Sequence, residues 1–365
     1  MVKFTEIIDA SIEWTATVLF RPFNPKKWLI LGFVAWMAGY AMSGGNLNFN
    51  HNYGKDKTKK TGVRAAYQIS PSQASKQGIT QQSSAAIPKN ILNKALFQVK
   101  HHLAITIFLL VMLTLAFMVT MTWLTSRFSF VFLEDVIKND AAIKIPFKAH
   151  KKLGDSLFNF NLIYSIAFLA LFILVIAVCV FALGKLGVFD KAKTIGFMQV
   201  FFTCFPYGLL LLCILFTSLI IYFINNNFVL VVMFKDKIKI LLAWSKALAI
   251  IKANKFDVIK YLFIQLGLSF CAHLLYACLS FVTFLGLLLP VGVLVILFRS
   301  IFMLIPVGIR LVYFIVLFTL VTPLALFLLY AFICLGLPFG VFLRTLSLKF
   351  IARLDPRYNL FSAYK

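Results

Sequence analysis

The chain has 365 residues, 61% of them hydrophobic and 13% charged, with a formal net charge of +24. Soluble domains are nearer half apolar and a quarter charged, so a water-soluble globule is excluded and a polytopic membrane protein is implied. The Lys and Arg flank apolar stretches without any DNA- or RNA-binding signature, which points to anionic lipid headgroups and away from nucleic acid.

Taken in order, residues 1–27 predict a surface helix and a basic collar. Glu6, Asp9 and Glu13 fall at i, i+3 and i+7 on one face, where a cleavable signal would be basic and then apolar. Trp14 and Phe20 can sit at headgroup depth. Pro22 and Pro25 break the helix, and Arg21, Lys26 and Lys27 form the collar. A first span is expected at 28–42, where Gly32 and Gly39 allow close packing on a neighbour. Residues 43–102, rich in Asn, Gln, Ser and Lys, read as a polar extracytoplasmic loop. Its densest charge is Lys55–Lys60. His101 and His102 diverge on a helix and make a poor metal pair.

The second span is expected at 103–124. A loop at 125–159 follows, with a second surface helix over Ile143–Asn159. Spans three and four are expected at 160–183 and 198–223, with a short outer loop at 184–197 between them. Asn225, Asn226 and Asn227 end span four, where three amides suit capping and interface geometry better than a ligand site. Within 224–260 a third surface helix places Trp244, Ala247, Ile251 and Val258 on one face. Ser245, Lys246, Lys252 and Lys260 occupy the other, and Phe256 falls on this polar side.

Span five is expected at 261–287. Residues 288–310 hold P-V-G-V at Pro290 and P-V-G-I at Pro306. A helix between those breaks is about 24 Å long, less than the roughly 30 Å hydrocarbon core, which predicts a re-entrant or interfacial segment. Arg299, Met303, Pro306 and Arg310 would share one helix face there. Span six is expected at 311–337, and 338–365 is a basic tail. With both termini cytoplasmic, 22 of the 36 Lys and Arg lie on the inside, as the positive-inside rule requires.

A repeat is visible. An aromatic (Trp14, Phe147, Trp244) and then basic residues precede spans one, three and five. The chain leaves spans two, four and six through similar text, "FSFVFLEDVIKND", "NFVLVVMFKDK" and "VFLRTLSLKFIARLD". The expected fold is therefore an all-α, polytopic transmembrane helix bundle. Its six spans form three hairpin-like repeats with amphipathic surface helices.

Candidate chemistry is sparse. No Asp or Glu lies in an expected span, which weakens ion-coupled transport. Nucleotide-binding, zinc-protease and serine-hydrolase motifs are missing, so no catalytic residue, metal site or cofactor is assigned. The six cysteines all sit in apolar runs without C-x-x-C and read as small apolar side chains. Gln265, His273 and Tyr276 fall roughly on one side of span five and suit interhelical hydrogen bonding or a polar cavity. Arg299 and Arg310 are the candidates for an anion or a lipid headgroup, which paired guanidiniums would grip.

The stretches "LFRPFNPKKWLILGFVAWMAG", "FVFLEDVI…PFKAHKKLGDSLFNFNL" and "PFGVFLRTLSLKFIARLDPRYNLF" resemble an uncharacterised family of bacterial multi-pass membrane proteins. That resemblance implies a bacterial cytoplasmic membrane and about six spans, and it brings no activity. More loosely, the layout is similar to the membrane domain fused to some glycerophosphodiester phosphodiesterases, whose catalytic part is missing here. The expected function is a non-enzymatic membrane component organising lipid, anionic lipid above all, or a partner protein or second copy. A carrier or channel for a lipid or small anion is the alternative, and an integral-membrane lipid enzyme the third.

Overall fold

The computed structural model describes residues 3–40, 89–188, 196–304 and 306–363, and among these it contains helices and no strand. Two units are distinguished, Met1–Leu47 with Val119–Lys365, and Asn48–Met118. What is described of the second is the first part of one long helix. The expected polar loop, with Lys55–Lys60, lies largely outside the described residues, as do the side chains of His101 and His102.

The helices are α1 (Phe4–Phe20), α2 (Pro25–Met37), α3 (Lys89–Lys138), α4 (Lys144–Ala149), α5 (Lys151–Leu186), α6 (Phe197–Ile224), α7 (Leu230–Asp236), α8 (Ile240–Ala253), α9 (Lys255–Leu304), α10 (Arg310–Leu335) and α11 (Leu337–Leu354). Five helical segments, within α3, α5, α6–α7, α9 and α10–α11, are long and apolar enough to cross a membrane. Their apolar stretches are scarcely covered by protein: Phe181, Phe202, Phe281 and Phe318 are all exposed. Water does not tolerate such surface at this scale, so lipid covers it and the protein is a multi-pass membrane protein.

The helix at the first expected span is 13 residues, about 20 Å long. Asn24 caps it, its Oδ1 accepting from the backbone N–H of Lys26 at 3.0 Å and of Lys27 at 3.2 Å, and Pro25 supplies the first turn. Leu31, Val34 and Ala35 are buried. A Cβ on Gly32 would meet Cys334 Sγ at 2.6 Å, so the missing side chain lets α2 close on α10.

The core lies where the sequence repeats. Phe128–Ile137 at the end of α3, Phe228–Phe234 through α7, and Leu337–Ile351 in α11 are the most buried stretches of the protein. Each is buried around most of its circumference, as a helix with neighbours on nearly every side is, and the first and third carry buried polar residues, Asp135 and Arg344 among them. The first two end alike, on a residue in the left-handed region: Asn139 with φ 55° and Lys237 with φ 53°. The amphipathic helices wrap this core. On α1, Lys349 Nζ donates to Ala10 O at 2.7 Å, Arg353 pairs with Glu6 at 2.7 Å, and the Trp14 indole donates to Val136 O at 3.0 Å.

Two expected elements differ in detail. The surface helix around Trp244 stops at Ala253, and Asn254 separates it from α9. That break resets the helical phase. Ile240, Ala243, Ala247 and Ile250 face inward from α8, while Val258, Tyr261, Gln265, Ser269 and Ala272 form the buried stripe of α9. Phe256, an anomaly on one continuous helix, is exposed next to the break. Secondly, α9 does not stop at Pro290 but continues to Leu304. A proline ring removes one donor and stresses one turn; the remaining ladder carries the helix on. Residues 288–304 thus extend the hairpin between α9 and α10. Tyr276 Oη donates to Phe332 O at 3.3 Å and Tyr313 Oη to Phe298 O at 2.8 Å across it.

A test of the packing is Gly154→Val. A Cβ at Gly154 would lie 2.6 Å from Arg127 Cγ and 3.1 Å from its Cα, so α5 must shift off α3. Overpacking of this kind costs about 1–3 kcal/mol. A lower unfolding midpoint in detergent, read by intrinsic fluorescence, is expected.

Candidate functional site

The polar centre of the protein grows from Asn225–Asn227. These residues open a π-helical turn, Asn225–Val229, between α6 and α7. Successive side chains on a helix diverge by about 100°, so three adjacent amides address three different neighbours. Asn225 Nδ2 donates to Asn161 Oδ1 of α5 at 3.4 Å, and Asn161 Nδ2 donates on to Ser126 Oγ of α3 at 3.4 Å. Asn226 Oδ1 accepts from the hydroxyl of Tyr40, which follows α2. Asn227 Oδ1 accepts from Gln265 Nε2 at 3.1 Å and from Tyr261 Oη at 3.5 Å, both on α9.

The backbone of the same turn holds α11. A π turn displaces carbonyls from the regular ladder. The carbonyl of Asn226 accepts from Arg344 Nη1 at 2.7 Å and that of Asn227 from Ser347 Oγ at 3.1 Å. Arg344 is 1% exposed. Its guanidinium lies 5.7 Å from the Tyr40 ring, and Nε and Nη2 have no hydrogen-bond partner among the described residues. No carboxylate among those residues pairs with it. A buried cation held by a carbonyl and a ring face is only partly compensated.

Beside this turn, between α6 and α9, is a cavity of about 130 Å³. Phe216, Leu219 and Leu266 form its apolar wall, and Asn226, Asn227 and Gln265 its polar floor. Gln265 Oε1 is buried without a partner there.

Of the residues singled out from the sequence, Gln265 belongs to this centre. His273 Nδ1 lies 2.6 Å from Ser269 O on its own helix, and Tyr276 reaches α10, so the three do not converge. Arg299 and Arg310 are at the far tip of the α9–α10 hairpin, on separate helices, because the chain leaves α9 at Leu304 and re-enters a helix at Arg310. Arg299 is exposed, while the Arg310 guanidinium stands 4.9 Å over Phe302. Neither lines the cavity. Arg344 was hidden in a basic tail; its signal is the apolar text around it, since a lone Arg in "PFGVFLRTLSL" has no solvent face to occupy.

A second buried group is Asp135, 1% exposed at the end of α3. One oxygen accepts from Ala142 N–H at 3.2 Å and the other has no partner. Burial raises its pKa from the ordinary 3.8 to about 8, helped by Asp140 and Glu134 and opposed by Ala142 N–H and Lys138. Next to it, Glu134 pairs with Lys138 and with His150 Nε2 at 2.5 Å. Burial alone would raise Glu134, but these hydrogen bonds outweigh it and hold its pKa low. Among the described residues no three His, Cys, Asp or Glu are grouped to hold a metal.

The buried exit helices and the amide turn both lie within residues 3–361, which match the model of a family of unknown function, DUF7544. The chain belongs to that family. No curated protein and no solved structure matches it.

Asp135 makes stability depend on pH. Its folded pKa is above the unfolded one, so between about pH 4 and 8 the folded chain holds a proton that the unfolded chain releases. Stability therefore falls as pH rises through that window. Asp135→Asn is expected to remove this slope, matching the parent near pH 4 and exceeding its unfolding midpoint at pH 8.

Proposed function

We propose that the protein is a non-enzymatic organiser of anionic lipid in a bacterial cytoplasmic membrane, with both termini on the cytoplasmic side, which requires the segment that begins with α2 to cross as a sixth span beside the five long apolar helices. One observation carries this reading: exposed lysines stand on α4, on α8 and at the start of α9, beside helices whose apolar surface is left uncovered by protein. Lys252, Lys255 and Lys260 stand exposed around the α8–α9 break, with no ion pair among the described residues. Ammonium groups at that depth attract anionic headgroups by about 1 kcal/mol each. The polar turn supports the same reading, because it ties α2, α5 and α9 to one centre and keeps the hairpins in fixed relation.

A carrier or channel for a lipid or small anion is the second reading. The cavity at Asn226, Asn227 and Gln265, with Arg344 behind it, favours that reading and moves its site away from Arg299 and Arg310.

Native mass spectrometry of the full chain released from nanodiscs of equal phosphatidylglycerol and phosphatidylcholine tests the first reading. Enrichment of retained phosphatidylglycerol is expected, and equal retention of the two lipids overturns the reading. For orientation, a fluorescent protein that matures only in the cytoplasm, fused after Lys365, is expected to fluoresce. A dark fusion with an active periplasmic reporter at the same place reverses the topology.

A further inference from the structure

A second cavity, of about 430 Å³, opens between α2, the end of α3 and α4. Its walls are Phe33, Met37, Leu124, Phe128, Ile143 and Phe147, and two lysines, Lys144 and Lys148, complete the lining. We infer that this groove binds an anionic phospholipid, one acyl chain lying against the aromatic wall and the phosphate meeting Lys144 and Lys148. The inference deepens the lipid-organising reading and rests on it.

The volume falls within the roughly 300–1,000 Å³ of small-molecule sites, and the lining is almost wholly apolar, the stems of Lys144 and Lys148 included. The walls are held from behind. Phe33 meets Phe128 edge-on with centroids 5.7 Å apart, and Phe128 and Phe147 are 5.3 Å apart. Trp123 packs edge-on against Phe147 at 6.1 Å. Arg127 stiffens the same wall, its guanidinium 4.2 Å over Trp123 and 5.2 Å over Phe147.

Charge selects the occupant. Arg127 is already neutralised, since its Nε and Nη2 both donate to Asp155 Oδ1, at 3.0 and 2.7 Å. Glu134 is committed to Lys138 and His150. Lys144 and Lys148 are exposed and make no ion pair with any described residue. Spaced i, i+4, they stand one turn apart on one side of α4. The groove is thus apolar within and doubly positive at its rim. Its depth agrees. Trp123 and Leu124 close the second apolar stretch, where an indole marks the headgroup region. A phosphate at that level meets two ammonium groups while its chain continues into the hydrocarbon.

The test uses the full chain in nanodiscs with phosphatidylglycerol bearing a diazirine in one acyl chain, and a matched phosphatidylcholine probe. Labelled peptides are mapped by mass spectrometry. The phosphatidylglycerol probe is expected to label the peptides holding Phe33–Met37 and Leu124–Phe128. In the double variant Lys144→Gln, Lys148→Gln that label should fall roughly tenfold or more, as losing two interfacial cations requires. Lys144→Arg with Lys148→Arg should restore it. Both lysines are exposed, so the variants are expected to keep the parent's helix content by circular dichroism. Equal labelling by both probes, or a label unchanged by the Gln pair, overturns the site. Abolition of the label by equimolar oleate overturns the phospholipid assignment. If the groove stays unlabelled while phosphatidylglycerol remains enriched on the protein, this inference fails and the broader reading survives. If the enrichment itself is absent, both fail.

Discussion

Three neighbouring amides hold this protein together. A helix turns its side chains by about 100° per residue, so Asn225, Asn226 and Asn227 cannot serve one partner. They reach α5, the residue after α2, and α9, while the carbonyls of the same turn receive Arg344 and Ser347 from α11. The apolar core around this turn is buried by protein on every side, and apolar burial is non-directional. Directional bonds between polar groups are what set one arrangement of the hairpins above others. The π turn is part of that design, since it frees carbonyls at the place where α11 brings its donors.

The three repeats share the work unevenly. Each sends its exit segment into the core, and the amphipathic helices α1 and α8 lie over those segments. The polar side chains, however, come mainly from the second exit. The first supplies Glu134 and Asp135, a carboxylate held by His150 and Lys138 next to a carboxyl that burial keeps protonated at neutral pH. The third supplies Arg344. The three exit segments thus bring three different local chemistries to the core, one acidic, one amide and one cationic.

Charge outside the core follows another logic. Arg127, Glu134 and Asp236 are satisfied by partners within the protein. The lysines on α4 and at the α8–α9 break, by contrast, make no ion pair among the described residues. Because an ammonium on a long stem reaches phosphate without fixed geometry, such residues suit a fluid surface better than a single rigid ligand. The groove beneath Lys144 and Lys148 adds shape to that attraction.

The amino-acid sequence by itself determined the helical class and the membrane setting, and it showed the recurrence of the exit text. Those properties follow from periodicity and the amount of apolar text, which each segment carries alone. It also marked Gln265 as an intramembrane polar group and read the three asparagines as caps, not as the junction they form. Tertiary structure alone decided that the exit segments form the core, that Arg344 leaves a nominally basic tail for the interior, and that Gln265 parts company with His273 and Tyr276. It also decided that α9 runs through Pro290 and carries Arg299 and Arg310 to a distant tip. Those outcomes depend on which helix lies beside which. A residue's neighbours across a helix interface are set by packing among distant segments, and spacing along one segment contains no record of them.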